Sequence, residues 1–258
     1  MVVLVFLYAP IAVVVANSFN SDASLTSWGG MTLDWYKSAI ESERVRTAAA
    51  TSLEIAALST LISLAVAVTA GLWSRTASRR KRQLLDAGTY MRIILPEVVA
   101  ALALFLLFRR IGLELGVWAV VAGHVVFNSA YATIIIQARL QTLPLVYEEA
   151  AADLGARPRR VFRRVTLPLL APAVAVAALL AFTFSLDDVI TSLFLSGGNA
   201  ETIPILLFGM ARFHITPELN AIGAVVMMVT TLSFALTVVL GTLGLRTRAP
   251  TPAEKAEL

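Results

Sequence analysis

Apolar residues run in long unbroken stretches along this chain, and the charged residues gather between them. Six stretches stand out: about Val2 to Ala16, Ala48 to Trp73, Tyr90 to Phe108, Leu113 to Ile136, Leu169 to Phe184 with a further reach to Phe194, and Ala221 to Leu245. Most approach the roughly 20 residues that a helix needs to cross about 30 Å of hydrocarbon. Lipid offers no partner to free backbone N–H and C=O groups, so such stretches must be helical. Ala, Leu and Val dominate them without strict two-residue alternation, which argues against a barrel. The pattern predicts an all-α membrane protein with about six transmembrane helices. The first stretch is the weakest, because no basic residue precedes it. It reads as an anchored helix rather than a signal peptide cut near Ala16, and a native start upstream of Met1 would supply the missing charges.

Composition agrees with the pattern. Hydrophobic residues make up 58% and charged residues 15% of the 258 positions, against roughly 45–50% and 25% in soluble domains. That much apolar surface fits one integrated membrane domain, residues 1–248, with a short polar tail at 249–258. There is no cysteine, which excludes disulfides, thiol catalysis and cysteine metal sites. The net charge of +4 reflects loops that face anionic lipid rather than nucleic acid.

The basic residues also set an orientation. Arg75, Arg79, Arg80, Lys81, Arg82, Arg139, Arg157, Arg159, Arg160, Arg163, Arg164, Arg246, Arg248 and Lys255 put fourteen on one side. The other side holds six: Lys37, Arg44, Arg46, Arg109, Arg110 and Arg212. The richer side is expected to be cytoplasmic, with both termini.

The loop between the fourth and fifth stretches, about 138–168, has the most structured chemistry. Leu145 to Leu154 carries helix formers, with Ala150 and Ala151 as a flat face. Gly155 suits a left-handed helix stop. Pro158 suits the first turn of a second short helix. On that helix Val161, Phe162, Val165 and Leu169 share one side, leaving Arg159, Arg160, Arg163 and Arg164 toward water or phosphate. Pro168 and Pro172 then mark the entry of the fifth span. From these residues the loop reads as two short helices with a sharp turn, projecting from the bilayer. A basic amphipathic helix lying on lipid is the other reading, but it leaves Glu149, Gly155 and Leu167-Pro168 together without a reason.

Glu149-Ala150-Ala151, then Gly155, Val165 and Leu167-Pro168, resembles the "EAA" loop of the permease subunits of binding-protein-dependent ATP-driven (ABC) importers. Outside the loop, Leu7-Tyr8-Ala9-Pro10-Ile11, Asn17-Ser18-Phe19-Asn20, Ser185-Leu186-Asp187-Asp188-Val189-Ile190, Thr202-Ile203-Pro204 and Thr216-Pro217-Glu218-Leu219-Asn220 are similar to a permease of the spermidine/putrescine importers. The resemblance implies the type I permease fold in a bacterial inner membrane. It implies a coupling loop of Glu149, Ala150, Ala151, Asp153, Gly155, Leu167 and Pro168 that docks on the ATPase. It also implies partners: two copies of that ATPase, a second homologous permease and an extracytoplasmic binding protein. Relatives for other amines, thiamine, iron or phosphonates share parts of these motifs.

No phosphate loop of the G-x-x-x-x-G-K-[ST] kind occurs, so ATP hydrolysis would fall to another chain. No hydrolase constellation or HExxH is present, and no cofactor or metal is expected. A secondary transporter would need its own coupling acids and, usually, internal repeats, and no repeat is visible. Acids within spans default to a functional reading because they are costly there. Asp187 and Asp188 are expected near the outer face, as an entrance for a cationic solute, a helix cap or a docking point. Glu97 is expected roughly 12 Å inside the third span, facing a cavity or an arginine. Glu54 reads as rim decoration. His124, near Asn128, reads more readily as a packing group than as a ligand. His214 reads as a solvated loop residue.

Overall fold

The computed structural model describes residues 2–23, 27–213 and 215–246. His214 and the expected tail at 249–258 lie outside them. The described residues form helices and turns, with a single isolated bridge between Asn20 and Met31 in place of any strand. Packing divides the chain into two compact units. One comprises 1–57, 97–123 and 185–232, the other 58–96, 124–184 and 233–258.

In the first unit, α1 (Val2–Asn17) is followed by a loop built around Asn20. The Asn20 side chain is 1% exposed. Its Oδ1 accepts the N–H groups of Asp22 (3.1 Å) and Gly29 (2.9 Å), its Nδ2 donates to Ser27 O (2.8 Å), and its carbonyl accepts Trp35 Nε1 (2.8 Å). A buried amide must be satisfied in this way, which explains an asparagine buried in the loop between α1 and the next helix. A short helix α2 (Asp34–Glu41) precedes the long α3 (Glu43–Thr76).

The expected third span is broken. Helix α4 (Arg79–Ile94) ends at Leu95, which is extended (φ −67°, ψ 127°), and α5 (Glu97–Arg110) starts afresh. Pro96 is the cause, since it has no N–H and disfavours helical geometry in the residue before it. The fourth span begins at Val117 rather than Leu113, as α6 (Val117–Gln141). Among the described residues four helices are long and apolar enough to cross a membrane, or five if the bent α4–α5 pair counts as one.

Helix α7 (Val146–Asp153) and helix α8 (Pro158–Val161) are the two short helices of the loop. The second does not stop before the fifth span. It passes through a π-helical turn, Phe162–Thr166, directly into α9 (Leu167–Asp187). The Leu167 N–H bonds back five residues to Phe162 O. This wider turn gives the Pro168 ring room that an α-helical register would deny it. Further on, Pro172 removes another donor, and the guanidinium of Arg139 donates to the neighbouring Leu169 carbonyl (Nε 3.1 Å, Nη2 2.9 Å). The prolines therefore lie in the first turns of α9, which continues from the loop through the π turn without a break.

Beyond α9 come two short helices that hydropathy alone does not reveal, α10 (Ile190–Leu195) and α11 (Ile203–Phe213). The last helix, α12 (Pro217–Arg246), has proline at its first position and Thr216 before it, whose Oγ1 accepts the Leu219 N–H (3.2 Å).

Each unit has its own core. The first packs Ala39, Ala48, Ile203, Leu206 and Ile222 from α2, α3, α11 and α12. The Ser52 hydroxyl accepts the N–H of Ile203 (2.8 Å) there. The second packs Ala67, Ala132, Ile136, Leu140, Leu170, Ala173 and Ala177 from α3, α6 and α9. Small residues let these helices approach closely. A Cβ on Gly71 would stand 2.8 Å from Ile136 Cγ2. In the apolar window of α6, 56% is buried, against 11% in α12, so α12 keeps most of its apolar surface for lipid or another chain.

Candidate functional site

The loop 138–168 belongs wholly to the second unit, and its geometry follows from local chemistry. Helix α7 ends as glycine dictates. Gly155 adopts φ +79°, its N–H bonds to Ala152 O (2.8 Å), and the Ala156 N–H bonds to Ala151 O (3.1 Å). These two bonds are the Schellman pairing, which satisfies the orphan carbonyls of a helix end. Arg157 then turns extended (φ −65°, ψ 149°) and Pro158 opens α8.

None of the residues of α7 or α8 is buried. Glu149, Ala150, Asp153 and Gly155 face solvent, and Ala151 is half-buried. Leu145, Val146 and Tyr147 are more than half exposed and Leu154 is 89% exposed. These apolar side chains are left uncovered on a short element. Leu167 and Pro168 are exposed beyond the π turn, at the head of α9.

Beneath the loop lies a cleft of about 820 Å³, lined by Arg75, Arg82, Gln137, Glu148, Phe162 and Thr166 among others. A polar link runs along it. Glu148 Oε1 accepts Arg75 Nη1 (2.8 Å) and Thr166 Oγ1 (2.9 Å), and Arg75 Nη2 reaches Leu143 O (3.3 Å). The two charged side chains are only 17% and 28% exposed. None of Glu148, Arg75 and Thr166 was expected from the sequence. The available signals were a second glutamate beside Glu149 and an arginine at the end of the second span.

The acids of the apolar stretches occupy different helix ends. Asp187 is the last residue of α9 and is exposed. Asp188 is half-buried, and its Oδ1 accepts the N–H of Ser192 in the first turn of α10 (2.8 Å). Of the three roles open to that acid, helix capping is the one it visibly performs. Glu97 sits at the break between α4 and α5. It is half-buried as the first residue of α5, where a carboxylate favours the helix dipole. His124 is 2% exposed within α6, and Asn128 four residues on donates from Nδ2 to Ala181 O (3.2 Å). Glu54 is exposed, as a rim residue would be. Among the described residues no cluster of His, Cys, Asp and Glu could hold a metal.

The sequence profile described as "Binding-protein-dependent transport system inner membrane component" matches residues 63–248. The chain belongs to this family. This inner membrane component is 38% identical over 238 residues to the spermidine/putrescine transport system permease protein PotC of Haemophilus influenzae, covering 92% of this chain and 91% of that one. It is 36% identical over 230 residues to the putrescine transport system permease protein PotI of Escherichia coli strain K12, covering 86% and 82%. Among solved structures, a bacterial ABC transporter involved in the import of the acidic polysaccharide alginate matches with a TM-score of 0.73 at 16% identity, covering 91% of both chains. The MetNI methionine ABC transporter, in inward-facing conformations, matches with a TM-score of 0.55 at 16% identity, covering 80% of this chain and 97% of that one. The fold of this membrane-spanning transport component is thus one found among ABC importers.

Proposed function

We propose that this chain is the permease subunit of an ATP-driven importer for polyamines, with ATP hydrolysis on a separate ATPase. Two readings make up the proposal. The coupling role rests on one observation: α7 buries nothing, and it presents Leu145, Val146, Tyr147 and Leu154 with Glu149 and Asp153 around a rigid glycine stop. The solute class rests on the relatives, whose names specify spermidine and putrescine across most of the chain.

In this account residues 1–248 form one transmembrane domain, with the termini and the loop 138–168 in the cytoplasm. Two ATPase copies, a second homologous permease and an extracytoplasmic binding protein complete the importer. The loaded binding protein docks outside. ATP binding closes the ATPase pair and displaces α7. The two permeases rearrange so that their cavity receives solute from outside, and hydrolysis returns it to the inward-facing state. This chain performs no covalent step. Asp187, exposed at the end of α9, is the acid offered to an ammonium group. Glu97 and His124 are the further candidates along the route.

Co-purification tests the coupling role. The ATPase should accompany the native chain and be lost from Glu149→Lys and Leu154→Asp. Retention by both variants would refute the docking surface. For the solute, equilibrium binding of an amine panel to the partner binding protein should favour spermidine or putrescine, and preference for an anion would overturn the polyamine assignment.

A further inference from the structure

We propose that Glu148, held by Arg75 and Thr166, is a positioning residue that transmits movement of α7 to helices α3 and α9. The inference rests on the reading of the loop as the ATPase docking site. Along the backbone, α7 reaches α9 only through the turn at Gly155 and then α8. At its other end α7 joins α6 through residues 142–145, so neither backbone connection leads to α3. Glu148 lies in the first turn of α7, seven residues from Gly155, or roughly 10 Å along a helix. Its carboxylate ties that far end to the last turn of α3 through Arg75 and to the π turn before α9 through Thr166. With this added cross-link, a displacement of α7 is carried directly to α3 and to the head of α9, and not through the backbone turns alone.

The surroundings favour a strut over ordinary packing. Above the cleft, α7 and α8 have no fully buried residue, and only Ala151 and Val161 among their apolar side chains are half-buried, so apolar contact holds them weakly. Thr166, by contrast, is buried (4% exposed) and fixed in the body of the unit. The Glu148 carboxylate points back into the cleft, while Glu149 faces solvent. Adjacent acids thus serve opposite directions: Glu149 outward to the ATPase, Glu148 inward to the helices. The π turn has an off-register backbone, which gives it a compliance that a regular α-helix lacks.

The test uses the complete reconstituted transporter carrying Glu148→Gln, Arg75→Gln, Thr166→Val, or the exchanged pair Arg75→Glu with Glu148→Arg. Three quantities are read: ATPase subunit retained, ATP hydrolysis stimulated by the loaded binding protein, and solute imported per ATP. The single variants should keep the subunit and its hydrolysis, and lose about tenfold in solute per ATP, as expected for one charge-assisted contact. The exchanged pair should recover to within about threefold of the native value, because coupled residues are non-additive. Unchanged solute per ATP in the single variants, no recovery in the exchange, or loss of the ATPase subunit from Glu148→Gln would each overturn the proposal. Glu149→Lys is run in parallel. If it sheds the ATPase while Glu148→Gln is silent, the strut fails and the docking reading stands. If it keeps the ATPase and normal uptake, both fail.

Discussion

Replacing Gly155 gives the cleanest separation of backbone strain from steric clash in the loop. The residue sits at φ +79°, and a Cβ built there meets no atom within 4 Å. Any loss on substitution therefore comes from the left-handed backbone itself. For an ordinary L-residue that conformation costs about 1–2 kcal/mol. Asparagine bears less of the cost, because its side chain bonds locally, and a β-branched residue bears more. Helix α7 has eight residues and none buried. Helices so short are marginal alone, so a strain of about 1.4 kcal/mol, tenfold in a local equilibrium, is enough to undo the stop. The expected order of uptake is native, then Gly155→Asn, then Gly155→Ala, with Gly155→Val lowest by at least about tenfold. Uptake of labelled spermidine into cells would be scaled to the amount of chain in the membrane, which should be equal for all four. Valine transporting like glycine, or asparagine faring as badly as valine, would refute the strain argument.

Further outcomes follow from other elements. Asp188→Ala should lower the melting temperature through loss of a cap worth about 1 kcal/mol. Asp187→Asn should leave that temperature unchanged and reduce polyamine uptake; a reversed pattern would exchange the roles of the two acids. Arg44 forms a two-pronged ion pair with Glu201 (Nε 2.9 Å, Nη2 2.7 Å), which holds the glutamate below its ordinary value, chiefly through the hydrogen bond. A depressed carboxylate contributes above its unfolded pKa of about 4.3 and loses that contribution as pH falls through the lower folded value. The stability difference between native chain and Glu201→Gln should therefore be under about 1 kcal/mol near neutrality for so exposed a pair, and vanish in acid; a difference that grows on acidification would contradict the assignment. A single cysteine at Arg80 or Arg160 should react only from the cytoplasm and one at Gly198 only from outside, and the opposite labelling would invert the topology.

The parts of the fold that rest on short-range rules were readable. Gly155 and Pro158 announce a stop and a start because both act within one turn, and the structure places them so. The break at Leu95-Pro96 had its signal in the proline, but apolar residues continue across it and hide the interruption. Pro168 stands where α9 begins, and only the π turn that carries the helix on from the loop was hidden. The helices α2, α10 and α11 are too short for a hydropathy pattern to separate from loop. The link between Glu148 and Arg75 was out of reach for a different reason: its partners lie 73 residues apart, and no periodicity relates them. Asp188 belongs to the same class, since only its 2.8 Å bond to the Ser192 N–H reveals a cap where the sequence left three roles open.

ATP-dependent solute accumulation tests the central claim most directly. Proteoliposomes would contain this chain with its partner permease and ATPase, and would receive the loaded binding protein outside and ATP within. The account predicts spermidine or putrescine accumulating against its gradient, only with ATP and binding protein together, and not with Glu149→Lys. Accumulation driven by an ion gradient without ATP, or by this chain without an ATPase, would contradict it.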